Sequence, residues 1–405
     1  MSEAFFYHLA SPPGEGGIAV FELFGPGAAE ALAAGLAGRR LPGPGRSCLD
    51  SLLDEAGETL DEVVVGSQPA SSMWSGIEAF TLSVHGGSWL QERTARRLDS
   101  LGGKGLDQGG VLRHALELGA VDAVQAAACE LLLDARTDRS AKFFSRQRSG
   151  ELSKILSQCV ELAEEPVDTA GLEKLERVLR GLVAGSVRAR RLGEPLELLI
   201  AGCANAGKST LFNRFMEKER AAVSSQAGTT RDLLRGTAAV FDAPVELADS
   251  VGLRLEPEDT VEAEALSLLA RKKADGCLYL LAPPWQLTDR DRGFLAGRWD
   301  RKTVLVGNKL DEAPDLPPGD ADVVLSALTG EGFDSLLDVI GQRWLGCDAG
   351  LPADIYEDPA APFTASQAAA VEQALSALVK TPGTPLLDEV KRCLIIGLQY
   401  SWPQE

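Results

Sequence analysis

Gly202-Cys203-Ala204-Asn205-Ala206-Gly207-Lys208-Ser209 is a complete G-x-x-x-x-G-K-S phosphate loop, and the rest of the chain is most easily ordered around it. Ahead of it, Leu196 to Ala201 is an apolar run of strand length. Behind it, Thr210 to Phe215 opens a helix-like stretch. That strand, loop and helix setting is what the chemistry requires. The glycines let successive backbone N–H groups turn inward around phosphate oxygens, Lys208 reaches the outer phosphates, and the Ser209 hydroxyl is a ligand for Mg²⁺. Gly202, Asn205, Ala206, Gly207, Lys208, Ser209 and Thr210 are therefore the candidate phosphate-binding residues.

Outward from the loop, apolar stretches at Cys277 to Leu281, Thr303 to Val306 and Val323 to Leu325 alternate with helix-compatible segments. This is the pattern of a parallel sheet with helices on both faces. Asn308-Lys309-Leu310-Asp311 follows one of those strands as N-K-x-D. A carboxylate at Asp311 accepts from both the ring N–H and the exocyclic amine of guanine, a donor pair adenine lacks. Asn308 is expected to address the other base edge, Lys309 to pack over the ring, and Ser326-Ala327 to finish the pocket with backbone N–H groups. Between loop and base motif lie Gly228-Thr229-Thr230-Arg231-Asp232 and Asp249-Ser250-Val251-Gly252. The first supplies a hydroxyl, Thr230, that completes the Mg²⁺ shell when the γ-phosphate is present. In the second, Asp249 holds metal-bound water and the Gly252 N–H points to the γ-phosphate.

The flanks differ in character. Residues 1 to 105 carry short β-like runs at Ala19 to Phe24, Leu60 to Gly66 and Ala79 to Val84, and a helix at Ala28 to Leu36. From 106 to 192 apolar residues recur at helical spacing, through Val111 to Ala135, Leu152 to Leu162 and Leu172 to Val187. Leu351 to Pro362, rich in prolines and acidic residues, reads as a linker, and Thr364 to Val379 and Leu386 to Leu398 as two further helices. The expected organisation is a small α+β domain (1–105), a helical domain (106–192 plus 350–405), and an inserted Ras-like P-loop GTPase α/β domain (193–349).

At 405 residues the chain is too long for one ordinary core, and its net charge of −19 opposes a broad hold on phosphate backbones, which argues against DNA as a partner. Arg139, Lys142, Arg146 and Arg148 form a local basic patch that reads as the solvated face of a helix, with a specific RNA contact as the alternative. The seven cysteines are scattered with no C-x-x-C pair, and only His8, His85 and His114 are present, so a zinc site or disulfide framework is not indicated. No segment approaches a membrane span, which makes a cytoplasmic setting the expectation.

The order G-x-x-x-x-G-K-S, G-T-T-R-D, D-x-x-G, N-K-x-D, S-A resembles that of the translation-factor-like GTPases. Within them the chain resembles the MnmE/TrmE family of bacterial tRNA-modification GTPases. The likeness extends to Ser11 to Gly17 with Ile18-Ala19-Val20 and Gly25-Pro26, to His85-Gly86-Gly87, and to Leu116 to Ala128. The resemblance implies GTP hydrolysis to GDP in Mg²⁺ and K⁺, with Asn205 helping to bind K⁺. It also implies a homodimer, an N-terminal site for a tetrahydrofolate derivative, a flavoprotein partner, and tRNA wobble uridine as substrate. Three departures bear on activity. The family's D-T-A-G-L-R-E becomes Asp249-Ser250-Val251-Gly252-Leu253-Arg254-Leu255, so Leu255 stands where the family has an acidic residue. Glu256 is the neighbouring candidate, one position out of register. The sequence ends Leu398-Gln399-Tyr400-Ser401-Trp402-Pro403-Gln404-Glu405 without the family's Cys-Ile-Gly-Lys, and Ser72 to Phe80 diverges in the folate region. Lys208, Gly252 and Glu256 are the candidate catalytic residues, and a non-hydrolysing or very slow GTP-responsive scaffold is the rival expectation.

Overall fold

A computed structural model describes residues 5–12, 14–68, 77–163, 168–203, 205–219, 235–249, 274–296, 302–316, 318–346, 359–379 and 387–397. The chain divides into two compact units, Met1–Ala126 and Ala127–Glu405.

The first unit is built on β1 (Phe6–Leu9), β2 (Ile18–Phe24), β3 (Ser47–Leu53), β4 (Thr59–Ser67), β5 (Ala79–His85) and β6 (Lys104–Gly105). They form one six-stranded sheet in the order β3-β4-β5-β2-β1-β6. All pairings are antiparallel except β1 with β6. Helices α1 (Ala28–Gly35) and α2 (Ser88–Ser100) contribute Leu32 and Leu98 to the core that the sheet forms with Leu23, Leu52, Val65 and Leu82. Side chains alternate along β2 and β5 as a half-buried sheet demands. On the edge pair, Leu49 and Val64 face each other in register and are both exposed.

Helix α3 (Gln108–Glu117) and the start of α4 (Ala123–Leu133) pack Val111, Ala115 and Ala126 against Phe24 and Ala79. The continuous helical periodicity over Val111 to Ala135 hides a break. Gly119, at φ 69, lies just past the C-cap of α3, with Gly119 N–H donating to the Leu116 carbonyl and Ala120 N–H to that of Ala115. Such a glycine terminates a helix because the left-handed conformation costs it no Cβ clash.

The second unit carries α5 (Asp138–Arg148), α6 (Glu151–Leu162) and α7 (Thr169–Gly193) ahead of a second six-stranded sheet. Its strands are β7 (Leu196–Gly202), β8 (Arg235–Val240), β9 (Ala243–Asp249), β10 (Gly276–Leu281), β11 (Thr303–Gly307) and β12 (Val323–Val324), ordered β12-β11-β10-β7-β9-β8. Only β8 runs antiparallel, to β9. Every residue of β10 is buried, as is Leu198 to Ala201 of β7, the signature of strands covered on both faces. Interleaved are α8 (Lys208–Glu219), α9 (Asp289–Leu295) and α10 (Phe333–Ile340). Phe215 on α8 meets Phe333 on α10 with centroids 4.8 Å apart.

After the sheet, α11 (Ala365–Val379) lies along α7 and α12 (Leu387–Gly397) against α6. A reciprocal cap starts α11: Gln367 N–H donates to Thr364 Oγ1, and Thr364 N–H to Gln367 Oε1. The proposed linker, where described, is not free chain. Ala361 and Phe363 are buried, and Phe363 packs edge-on to Phe143 and Phe144 with centroids 6.1 and 5.6 Å away. The basic patch is a solvated face only in part, since Lys142 and Arg148 are exposed and Arg139 is not. Arg139 is buried and donates to the Phe241 carbonyl at 2.6 Å, while Arg146 stands 3.8 Å from Glu151. Among the described residues, no helix is long and apolar enough to cross a membrane.

Candidate nucleotide site

The site lies where β7, β9, β10 and β11 end, along one edge of the second sheet. Parallel strands place their carboxyl ends on the same side, and the loops leaving them converge there. Gly202, at φ 139, ends β7 in contact with β10: a Cβ added to it would lie 2.2 Å from the Leu280 carbonyl oxygen. Asn205 (φ 60) and Gly207 (φ 90) also take left-handed backbone, and Ala206 between them is fully buried. Left-handed residues on either side of Ala206, directly ahead of a helix, are the backbone pattern of an anion nest feeding a helix N-terminus. Lys208, the first residue of α8, donates from Nζ to the Gly202 and Cys203 carbonyls at 3.1 and 2.8 Å, which keeps the ammonium at the loop. Ser209 and Thr210 are exposed on the first turn of α8.

Asn308 follows β11 and is buried, with its carboxamide held by two stretches of backbone. Nδ2 donates to the Ala206 carbonyl at 2.7 Å, and Oδ1 accepts from the Ala327 N–H at 2.8 Å. These two bonds use one of the two N–H groups of Nδ2 and one of the two lone pairs of Oδ1. With both ends of its side chain committed to backbone, it ties the phosphate loop to the Ser326-Ala327 loop. Gly207 makes room for it, since a Cβ there would come within 2.2 Å of Nδ2. Lys309 is left-handed at φ 68 and pairs with Glu312 at 2.9 Å. Asp311 is exposed on the single 3₁₀ turn Leu310–Glu312. Ser326 is buried, its Oγ accepting from the Thr329 N–H at 3.1 Å.

Arg214 went unnoticed in the sequence. From α8 its Nε donates to the Ala327 carbonyl at 3.0 Å and its Nη2 to that of Leu328, so the helix behind the phosphate loop also holds the base loop. Its place on the helix that starts at Lys208 was the available signal. Below the site, the Tyr279 hydroxyl donates to Asp291 Oδ1 at 2.5 Å. Burial, then that carboxylate, pushes its phenol above the ordinary tyrosine range.

The backbone of Asp249 ends β9 in register with Ile200, two residues before Gly202. Switch residues Gly228, Thr229, Thr230, Arg231 and Asp232, together with Gly252, Leu255 and Glu256, fall outside the described residues. Where Mg²⁺ is concerned, the donor types fit: a serine hydroxyl on α8 and an aspartate at a neighbouring strand end are the hard oxygen ligands such a cation takes. Among the described residues, no cluster of three or more His, Cys, Asp and Glu forms a further metal site.

Strand order, phosphate loop and N-K-x-D together define a P-loop GTPase domain. A family model described as 50S ribosome-binding GTPase matches residues 197–309. The tRNA modification GTPase MnmE of Alkalilimnicola ehrlichii is 33% identical over 82% of this chain and 80% of its own length. Its namesakes in Paramagnetospirillum magneticum and Aquifex aeolicus are 34% and 28% identical, over 83% and 86% of this chain and 81% and 83% of their own. The chain belongs to the MnmE/TrmE family of tRNA modification GTPases. A solved structure, the G domain of the T. maritima FeoB iron transporter, matches 36% of this chain and 98% of its own at 22% identity with a TM-score of 0.27, so the fold rests on the topology above.

Proposed function

We propose that the chain is a guanine-nucleotide switch that hydrolyses GTP to GDP and phosphate, acting in tRNA modification as its relatives' name suggests, at the wobble uridine that the family resemblance implies. The observation that carries this reading is the Asn308 bridge. It fixes the phosphate loop and the Ser326-Ala327 loop to each other at 2.7 and 2.8 Å, which supports reading Lys208 and Asp311 as parts of one site. In this reading the loop N–H groups and Lys208 hold the phosphates, and Asp311 accepts from guanine. Ser209, Thr230 and Asp249 would hold Mg²⁺, which when bound neutralises charge on the outer phosphates. Lys208 and the Gly252 N–H stabilise the charge that develops on the transferring group, and Glu256 is the candidate for orienting water.

The same reading extends to K⁺ at Asn205, to a homodimer, to a folate derivative on the 1–105 domain, and to a flavoprotein and tRNA as partners. It treats 193–349 as an insertion within a helical domain formed by 106–192 and 350–405. The packing of α11 on α7 and α12 on α6 supports that layout. Hydrolysis of GTP at several protein concentrations, in K⁺ and in Na⁺, tests catalysis, cation use and dimer dependence together. Turnover that rises with concentration in K⁺ alone is expected; no turnover in either salt defeats the hydrolase reading.

Leu255 favours a second reading, a GTP-responsive scaffold that binds without hydrolysing. Single-turnover measurements with and without K⁺ separate the two, because the scaffold leaves bound GTP intact in both salts while the hydrolase converts it to GDP.

A further inference from the structure

We propose that Trp285 is a positioning residue for guanine recognition, acting through the Asn308–Lys309 peptide; this rests on the reading of the site as a guanine pocket. All four polar atoms of Asn308 are engaged, each by a different segment. Its N–H donates to the Leu281 carbonyl at 2.9 Å at the end of β10. Its side chain holds the phosphate loop and the Ala327 loop as described. Its carbonyl accepts from the Trp285 indole Nε1–H at 2.8 Å. The last is the only one of the four supplied by another residue's side chain.

That carbonyl belongs to the peptide plane joining Asn308 to Lys309. The orientation of the plane is coupled to the φ of Lys309, which sits at 68, in the left-handed region that a non-glycine residue occupies only when its surroundings impose it. Asp311 follows two residues later. Releasing the carbonyl lets the plane rotate and Lys309 relax, which moves the carboxylate off its aim without touching it.

Trp285 is itself built to be immovable. It is fully buried with a φ of 59, its N–H donates to the Ala282 carbonyl at 2.8 Å, and its carbonyl accepts from Asp320 N–H at 2.9 Å. Gly307, the last residue of β11, leaves room for it, as a Cβ there would lie 3.1 Å from the indole. A bulky side chain held in a strained backbone beside a recognition loop is a place where strain serves position rather than packing alone.

Trp285→Phe keeps an aromatic ring and deletes the N–H. Calorimetry on the full chain would compare GTP with ITP, which lacks only the exocyclic amine that Asp311 accepts from. The variant is expected to lower the preference for GTP over ITP about fivefold, the scale of one net hydrogen bond. A merely structural role weakens both nucleotides together and leaves the ratio at its wild-type value, which overturns the proposal while the guanine reading stands. A wild-type chain that shows no preference removes the guanine reading and the proposal with it. Should the variant not fold, the wild-type chain carries the test. Coupling is reciprocal, so guanine must tighten the indole hydrogen bond by the same factor. In ¹⁵N-tryptophan-labelled protein, assigned by replacing the other tryptophans singly, the Trp285 indole N–H is expected to exchange with solvent about fivefold more slowly in GTP than in ITP. Equal rates overturn the proposal.

Discussion

Both units contain a six-stranded sheet, and among the described residues it is the second that brings its sequence motifs together at one end. In the antiparallel sheet, successive connections leave from opposite ends, so residues with chemical potential are dispersed. His85, for example, is satisfied locally by Asp61 at 2.7 Å. One face of that sheet takes the core, and its edge pair leaves Leu49 and Val64 exposed. In the parallel sheet every crossover returns the chain to the same end. Gly202, Asp249, Leu281 and Gly307 finish their strands along one edge, and segments far apart in sequence meet there. The requirement that such strands be buried on both faces is the physical reason a polar site can form only at their ends.

The sharpest way to break this contrast is a pair of glycine substitutions. Gly202→Ala places a Cβ against the backbone of β10 in a left-handed conformation, and a loss of about 3 kcal/mol or more is expected in denaturant unfolding. Gly57→Ala, in the β3–β4 turn at φ 84 with open space around it, is expected to cost only about 1 kcal/mol. Leu280→Ala in the fully buried β10 should cost about 3 kcal/mol, and Leu49→Ala on the exposed edge less than about 0.5 kcal/mol, by the same measurement. Equal losses in either pair would show the two sheets to be alike in packing. For binding, Lys208→Ala should weaken GTP about a hundredfold by calorimetry, while His85→Ala leaves it unchanged. Unchanged affinity in Lys208→Ala refutes the assignment of the loop.

The smallest effect tests what the sheets share. Tyr7 donates to Asp99 at 2.7 Å as Tyr279 does to Asp291, and burial followed by the carboxylate raises both phenols. A raised folded-state value favours the protonated form. The contribution to stability is therefore complete below the unfolded tyrosine value of about 10 and fades as pH rises beyond it. Tyr7→Phe and Tyr279→Phe should each flatten the alkaline fall in melting temperature. A fall as steep as wild type in either variant removes that tyrosine from the account.

Much of the second sheet was legible because each buried strand is a short apolar run closed by a recognisable motif. The strands at 196, 277 and 303 were read nearly to the residue for that reason. In the first unit β3, Ser-Cys-Leu-Asp-Ser-Leu-Leu, escaped notice: an edge strand mixes polar and apolar residues without a clean period. So did α2, whose charged surface outweighs its two buried positions. Asn308 was located, but its ties to the Ala206 carbonyl and the Ala327 N–H were not anticipated, since only tertiary packing brings those two loops to it. Trp285, after two prolines, reads as part of a loop, and nothing local reveals that its indole reaches a residue 23 positions on.

One aromatic ring has a consequence for how the chain tolerates change. Phe144 is met by Phe363 as the chain returns, and Gly193, where α7 hands over to the sheet, is so close that a Cβ would lie 3.0 Å from the same ring. Departure and re-entry are thus pinned against a single ring, and in the proposed layout the intervening stretch is an excursion from the helices. The entropic cost of closing such an excursion grows only with the logarithm of its length. Residues can accumulate or be lost inside it over evolutionary time with little penalty to the helices, as long as that knot of phenylalanines holds.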